Sequence, residues 1–282
     1  MKTLTIIGSS GFLGRSIIDY AFLKSLSKWK INKIVSISRK KIKFPKKGKV
    51  KIKHYARDIS KFKKLQRTDY IIYAINTNNS FSDLKSIKKF IELIKNMPKK
   101  TKILFTSSGI VYNKLENKEV YKQNKIFIEK IFRTLGTYGY HVSIARLFTF
   151  IGERILDDKR YAISEFINSG LSKDKIYVKS NKIVYRSYMH SYDMVSWLIK
   201  ILIHSSPECP TFDVGSDEKI KIQSLARLVG KILKKPVKLK KITDKKIENY
   251  IPNIKKAKKE LKLKINYKLR PSLYSIIKQK YE

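Results

Sequence analysis

Short apolar runs alternate with segments of helical apolar spacing over the first 146 residues, the pattern that builds a parallel sheet from βαβ units. Strands are expected at Leu4–Ile7, Ile34–Ser38, Lys51–His54, Tyr70–Ala74, Ile103–Phe105 and Val142–Ala145, and helices at Leu13–Lys28, Asp83–Ile94 and Lys122–Leu135. The runs beginning at Thr3 and Tyr70 are continuously apolar or nearly so, as strands covered on both faces require. After Arg146 the regularity breaks. A helix near Ala162–Ile167, strands at Ile176–Val178 and Ile183–Met189, and a helix at Tyr192–Ile203 follow. Further helical patterns occur at Ile222–Leu233, Asn253–Leu261 and Pro271–Ile277. The fold class is therefore read as α/β, a Rossmann-like doubly wound parallel sheet with a small, discontinuous C-terminal domain. Residues 1–150, with 183–215 contributing, form the sheet domain, and 151–282 form the smaller part.

A chain of 282 residues, 42% hydrophobic with 17 Tyr and 13 Phe, can bury enough apolar surface to offset its ordering entropy. It has no apolar run of 18 residues, so no membrane span is expected. Met1–Gly8 leads into a strand and lacks a small-residue cleavage site, so no signal peptide is expected and the protein reads as soluble and cytoplasmic. A single cysteine, Cys209, excludes an internal disulfide and a Cys-rich metal site. His54, His141, His190 and His204 are too dispersed to suggest a metal site.

The formal charge of +42 comes from 64 basic and 22 acidic residues, and would draw polyanions or phosphorylated small molecules. Only 11 of the basic residues are Arg, the better partner for phosphates and bases, and Lys is spread along a chain also rich in Ile, Asn and Tyr. The charge is read as compositional drift with a generic preference for anions, densest at Lys40–Lys53 and Lys234–Lys246. A nucleic-acid-binding protein on the same fold is the rival reading, and nucleic acid is not the expected partner.

Gly8-Ser9-Ser10-Gly11-Phe12-Leu13-Gly14 follows the first strand and opens a helix. The first glycine permits a tight turn, the second lets backbone N–H groups approach a pyrophosphate, and the third allows helix and strand to pack closely. Gly8, Ser10, Gly11, Phe12, Leu13 and Gly14 are thus candidate dinucleotide ligands. The second strand ends in Ser38-Arg39-Lys40 with no carboxylate to bind a ribose diol. That favours NADP over NAD, with Ser38 and Arg39 at the adenosine end. Asp58 and Ile59 could contact the adenine, although Asp58 also suits an N-cap. Ala74 completes the set at the end of the fourth strand.

Tyr121 and Lys125 stand four apart on one helical face, where an ammonium favours the phenolate and makes Tyr a usable acid or base. Thr106-Ser107-Ser108 ends a strand, where open parallel sheets place their ligands. With the glycine loop, these features resemble the extended short-chain dehydrogenase/reductase family of nucleotide-sugar epimerases, dehydratases and 4-ketoreductases. The resemblance continues through Arg146-Leu-Phe-Thr-Phe-Ile-Gly152, Tyr185–Asp193 and Phe212–Ser216. It implies Tyr121 as acid/base, Lys125 as its electrostatic partner and ribose ligand, and Ser108 as the hydroxyl orienting the reacting oxygen. Ser107 is the rival for that last role. It also implies Arg186 on the substrate diphosphate, Thr149 in the sugar pocket and a homodimer built through two long helices.

Some positions depart from the family. Gly109 and Ile110 replace the acidic pair of the 4,6-dehydratases, so dehydration by that route is not expected. Asp83 and Thr149 stand where the family usually has asparagine. His190, Tyr185, Tyr188 and Tyr192 are candidates for the pocket wall or for core packing, and Asp157-Asp158 for a helix cap. The implied function is an NADPH-dependent 4-keto-sugar reductase, with a nucleotide-sugar 4-epimerase holding NAD as the alternative. Base, sugar and stereochemistry are open.

Overall fold

The computed structural model describes residues 1–45, 50–75, 80–112, 119–157 and 161–281. Asp158 and part of the Lys40–Lys53 run lie outside these residues. Six strands, β1 (Lys2–Ile7), β2 (Ile31–Ser38), β3 (Lys51–Ala56), β4 (Tyr70–Tyr73), β5 (Lys102–Ser108) and β6 (His141–Leu147), form most of a seven-stranded sheet in the order β3-β2-β1-β4-β5-β6. All neighbouring pairs among these six are parallel. The seventh strand, Thr211–Val214, lies outside β6. The order runs from β1 through β2 to β3 and then resumes with β4 on the other side of β1. That is the switch point at which open sheets of this class leave a crevice beyond the strand ends.

Helices α1 (Phe12–Leu23), α2 (Ser80–Ile94) and α3 (Glu119–Thr137) connect these strands. The first is shorter than its apolar spacing predicts. Lys24 caps it and Ser25 turns with φ +66°, so Ser27–Trp29 forms a separate 3-10 turn. The core against the sheet is apolar and aromatic. Phe105 and Phe132 stack at 4.7 Å, and Tyr73 packs on Phe90 at 4.8 Å.

The chain divides into two compact units: Met1–Leu147 with Val195–Phe212, and Phe148–Met194 with Asp213–Glu282. The segment returning to the first unit is therefore narrower than 183–215. Residues 183–194 and 213–215 cluster with the second unit.

In that unit, β7 (Phe150–Ile151), α4 (Ala162–Ser172), β8 (Ile176–Val178), β9 (Lys182–Arg186) and β10 (Met189–His190) precede α5 (Ser191–Ile203), which crosses into the first unit. After β11 (Thr211–Val214) come β12 (Ile220–Lys221), α6 (Ile222–Leu233), β13 (Val237–Leu239), β14 (Asp244–Tyr250), α7 (Lys255–Leu261) and α8 (Leu269–Tyr281). The run expected as one strand over Ile183–Met189 is interrupted at Ser187-Tyr188, so β9 pairs with β12 and β14 while β10 pairs with β7. Two strands of the Lys-rich tail, β13 and β14, carry no apolar pattern that marks them in the sequence.

Candidate active site

The glycine loop is set by contacts a side chain would break. Gly8 has φ +94°, and a Cβ there would lie 2.6 Å from the Ala74 carbonyl oxygen. A Cβ on Gly14 would lie 2.4 Å from the Ser9 Cα, so this glycine serves the close approach of α1 to the loop. A Cβ on Gly11 would meet nothing nearer than the Gly8 oxygen at 3.7 Å. Internal packing therefore does not demand glycine at 11; its bare Cα instead leaves room in the pocket that it lines. Beneath the loop the buried Ser36 hydroxyl donates to the Ser9 hydroxyl at 2.7 Å, tying loop to β2.

That pocket gathers Gly8, Ser10, Gly11, Ser38, Arg39, Asp58, Ile59 and Ala74, from the C-terminal ends of four neighbouring strands. Phe12, Leu13 and Gly14 are not on its wall: Leu13 and Gly14 are buried in the packing of α1, the direction in which the first turn of the helix points them. Lys125 is not on it either, because it lies on α3 beyond β5. Arg57, Ser82 and Ser86 are lining residues that sequence reasoning missed. Arg57 was findable, since it immediately follows the third strand on the same sheet edge as Arg39.

Asp58 is a cap as well as a wall residue. It accepts the Ser60 N–H at 2.9 Å. Burial works against its ionisation, but the bonds from Ser60 and the attraction of Arg39 outweigh this and hold the carboxyl below its usual range. The chemistry of the set suits a dinucleotide. It combines an open glycine wall, two guanidinium-bearing residues, no carboxylate at the end of β2, and apolar Ile37 and Ile59 for a flat ring.

At the ends of β5 and β6 a second group of residues converges on α3. The Lys125 ammonium is almost wholly buried, 5.5 Å from the Tyr121 ring centre and 5.5 Å from that of Phe105. Burial lowers its pKa to about 8, against the opposing attraction of Asp83 and Glu129. Ser107 and Ser108 part company here. The Ser107 hydroxyl is buried and donates to Glu129 Oε1 at 2.6 Å, whereas Ser108 is half-buried and its hydroxyl accepts the Ile110 N–H at 3.2 Å. Arg146 closes the group by donating to both Glu129 oxygens at 3.0 and 2.7 Å and to the Tyr112 hydroxyl at 2.6 Å.

The two residues expected on substrate are engaged within the second unit. Arg186 donates to Glu248 on the neighbouring strand and to the Tyr185 carbonyl at 3.0 Å, and lies over the Tyr250 ring. A phosphate would have to compete with Glu248 for this guanidinium. Thr149 donates its hydroxyl to the Ser187 carbonyl, bracing the break between β9 and β10. His190 stacks on Tyr267 at 4.7 Å, and its Nδ1 accepts the Tyr192 N–H at 3.1 Å; burial lowers its pKa to about 4. Tyr188 is buried core, and Tyr192 packs edge-on against His190. Cys209 is buried, with its thiol pushed up to about 11 by burial. Among the described residues, no group of three His, Cys, Asp or Glu side chains could hold a metal ion. No helix among them is long and apolar enough to cross a membrane.

Residues 4–215 match the NAD dependent epimerase/dehydratase family. The chain belongs to that family. A curated relative, UDP-glucuronic acid decarboxylase 6 of Arabidopsis thaliana, is 27% identical over 138 residues, 48% of this chain. The match spans only 40% of that relative's length. Among solved structures, the Bordetella bronchiseptica enzyme WbmF in complex with NAD+ superposes with a TM-score of 0.79 at 17% identity, covering 99% of this chain and 92% of that one. UDP-N-acetylglucosamine 4-epimerase from Bacillus cereus gives 0.75 at 15%, covering 99% and 96%. At these identities the likeness is one of fold, and it matches the Rossmann-like α/β class expected from the strand pattern.

Proposed function

We propose that the protein reduces the 4-keto group of a nucleotide-activated sugar, with NADPH as the cofactor. The observation that carries this reading is the buried Lys125 ammonium beside the Tyr121 ring, on the same sheet edge as a pocket built for a dinucleotide. When bound, the nicotinamide supplies or accepts a hydride. Ser108 donates a hydrogen bond to the substrate oxygen and orients it, keeping its proton. Tyr121 gives that oxygen a proton as it gains negative charge, and the Lys125 ammonium stabilises the phenolate left behind. Gly8 and Gly11 admit the pyrophosphate, and Arg39 with Arg57 at the far end suits a 2′-phosphate. Gly109 and Ile110 cannot move a proton, which argues against elimination at C6.

Epimerisation at C4 is the second reading, favoured by the family's own description. It uses the same residues, with Tyr121 taking the hydroxyl proton first and returning it to the other epimer. Binding behaviour separates the two. Calorimetric titration of cofactor-free protein is expected to give NADPH at least tenfold tighter binding than NADH, with Arg39→Ala narrowing that ratio. NAD that co-purifies and survives dialysis, with no NADPH preference, would instead favour the epimerase.

A further inference from the structure

The end of β2 carries one side of the pocket, and β3, the edge strand beside it, contributes His54. His54 pairs in register with Ser36, and side chains two apart on a strand share a face, so Ser36, Ser38 and His54 stand on one side of the sheet. The half-buried imidazole makes contacts through both its nitrogens. Nδ1 lies 3.2 Å from the Ser36 carbonyl and 3.0 Å from the Ser36 hydroxyl, the group that donates to Ser9 of the glycine loop. Nε2 donates to the Lys40 carbonyl at 3.2 Å, and that carbonyl also accepts the Ser38 hydroxyl at 2.8 Å. Phe44 packs edge-on against the ring, its centre 5.5 Å away. Donors from two strands therefore hold one backbone carbonyl.

Lys40 follows Arg39, so the carbonyl held by Ser38 and His54 belongs to the turn that presents Arg39 to the pocket. Arg39 is exposed, and the direction of its side chain depends on where that backbone is fixed. We propose that His54 is a positioning residue for cofactor selection, holding the turn after β2 by the Lys40 carbonyl so that the Arg39 guanidinium meets a 2′-phosphate. The proposal rests on the NADPH reading above and deepens it. A dinucleotide without the 2′-phosphate gains little from the same arrangement. The glycine loop leans on His54 less, because the Gly8 and Ser9 N–H groups also donate to the Ile37 carbonyl at 2.9 and 3.1 Å. Loss of His54 should therefore change the choice between cofactors more than the binding of either one's pyrophosphate.

The test is calorimetric titration of the full chain with NADPH and with NADH, read as the ratio of their dissociation constants. His54→Ala is expected to weaken NADPH about fivefold, as loss of one neutral hydrogen bond would, and NADH by less than about twofold. Glutamine places its amide near the position of Nε2 and asparagine near that of Nδ1, so His54→Gln keeps most of the preference and His54→Asn loses it. In an Arg39→Ala background, His54→Ala changes the ratio by less than about 1.5-fold, because His54 acts through Arg39. A purely structural role would weaken both dinucleotides together. An unchanged ratio in His54→Ala, an equal fall for both dinucleotides, or a fall in the ratio that persists without Arg39 overturns the proposal. If His54→Ala does not fold, equal ratios in the Gln and Asn variants overturn it instead. A native protein with no preference for NADPH overturns the cofactor reading and this assignment together, whereas a native preference that survives His54→Ala overturns the assignment alone.

Discussion

Tyr121→Phe removes one oxygen, and turnover is expected to fall by about 10²–10⁴-fold while the cofactor dissociation constant changes by less than about threefold. The separation follows from where the phenol lies. Tyr121 is on α3, outside the residues lining the pocket proposed for the dinucleotide, so losing its hydroxyl leaves the pocket wall intact. The ring itself remains, so its packing beside Lys125 is preserved. What is lost is the group to which the proposed function gives the proton exchange with the substrate oxygen. Steady-state kinetics and calorimetry on the same preparation measure both halves. Comparable loss of turnover and of cofactor affinity would mean that the substitution disturbs the fold and not the chemistry.

Glu129→Ala is expected to be the most destabilising of these changes. The carboxylate accepts three bonds, one from Ser107 and two from Arg146, and its side chain is only 6% exposed. Removing it strands a buried hydroxyl and a guanidinium whose charge Glu129 sustains; the bonds to Glu129 are the main reason its pKa is raised. Breaking a buried pair from one side costs about 3–5 kcal/mol, and because Arg146 reaches water a value near 3 kcal/mol is expected here. Glu129→Gln keeps an acceptor for one partner and should lose about half as much. Urea unfolding of the three proteins gives the comparison, and a loss below about 1 kcal/mol for Glu129→Ala would show that the triad joining β5, α3 and β6 is not a structural brace.

The strands of the first unit were legible because burial on both faces leaves an uninterrupted apolar run, and Tyr70–Tyr73 is an instance with all four residues buried. The same logic hid β14. It pairs with β9 through Ile247–Tyr250, yet Lys246 and Ile247 are exposed and the register shifts between Asp244 and Ile247. An exposed, irregular strand needs no alternating pattern. The glycine loop was legible because its constraint is local: Gly8 and Ala74 meet at the ends of neighbouring strands, each marked by its own motif.

Long-range pairing was not legible. Nothing near Arg186 announces Glu248, 62 residues away, and the bond between them changes what that arginine offers a phosphate. Nor does anything near Ser107 announce its bond to Glu129, one turn of α3 beyond Lys125. Asp83 was visible only as a departure from the family's asparagine. Its bond with Asn124 depended on α2 and α3 packing together.

The decisive experiment follows NADPH consumption when the purified protein meets a 4-keto nucleotide sugar. Stoichiometric loss of NADPH and of the ketone is expected, with a 4-hydroxy product, and consumption slowed by about 10²–10⁴-fold in Tyr121→Phe. NADPH that binds but is never consumed, alongside interconversion of 4-epimers, would move the protein to the epimerase reading. Consumption undiminished in Tyr121→Phe, or no binding of either dinucleotide, would contradict the account itself.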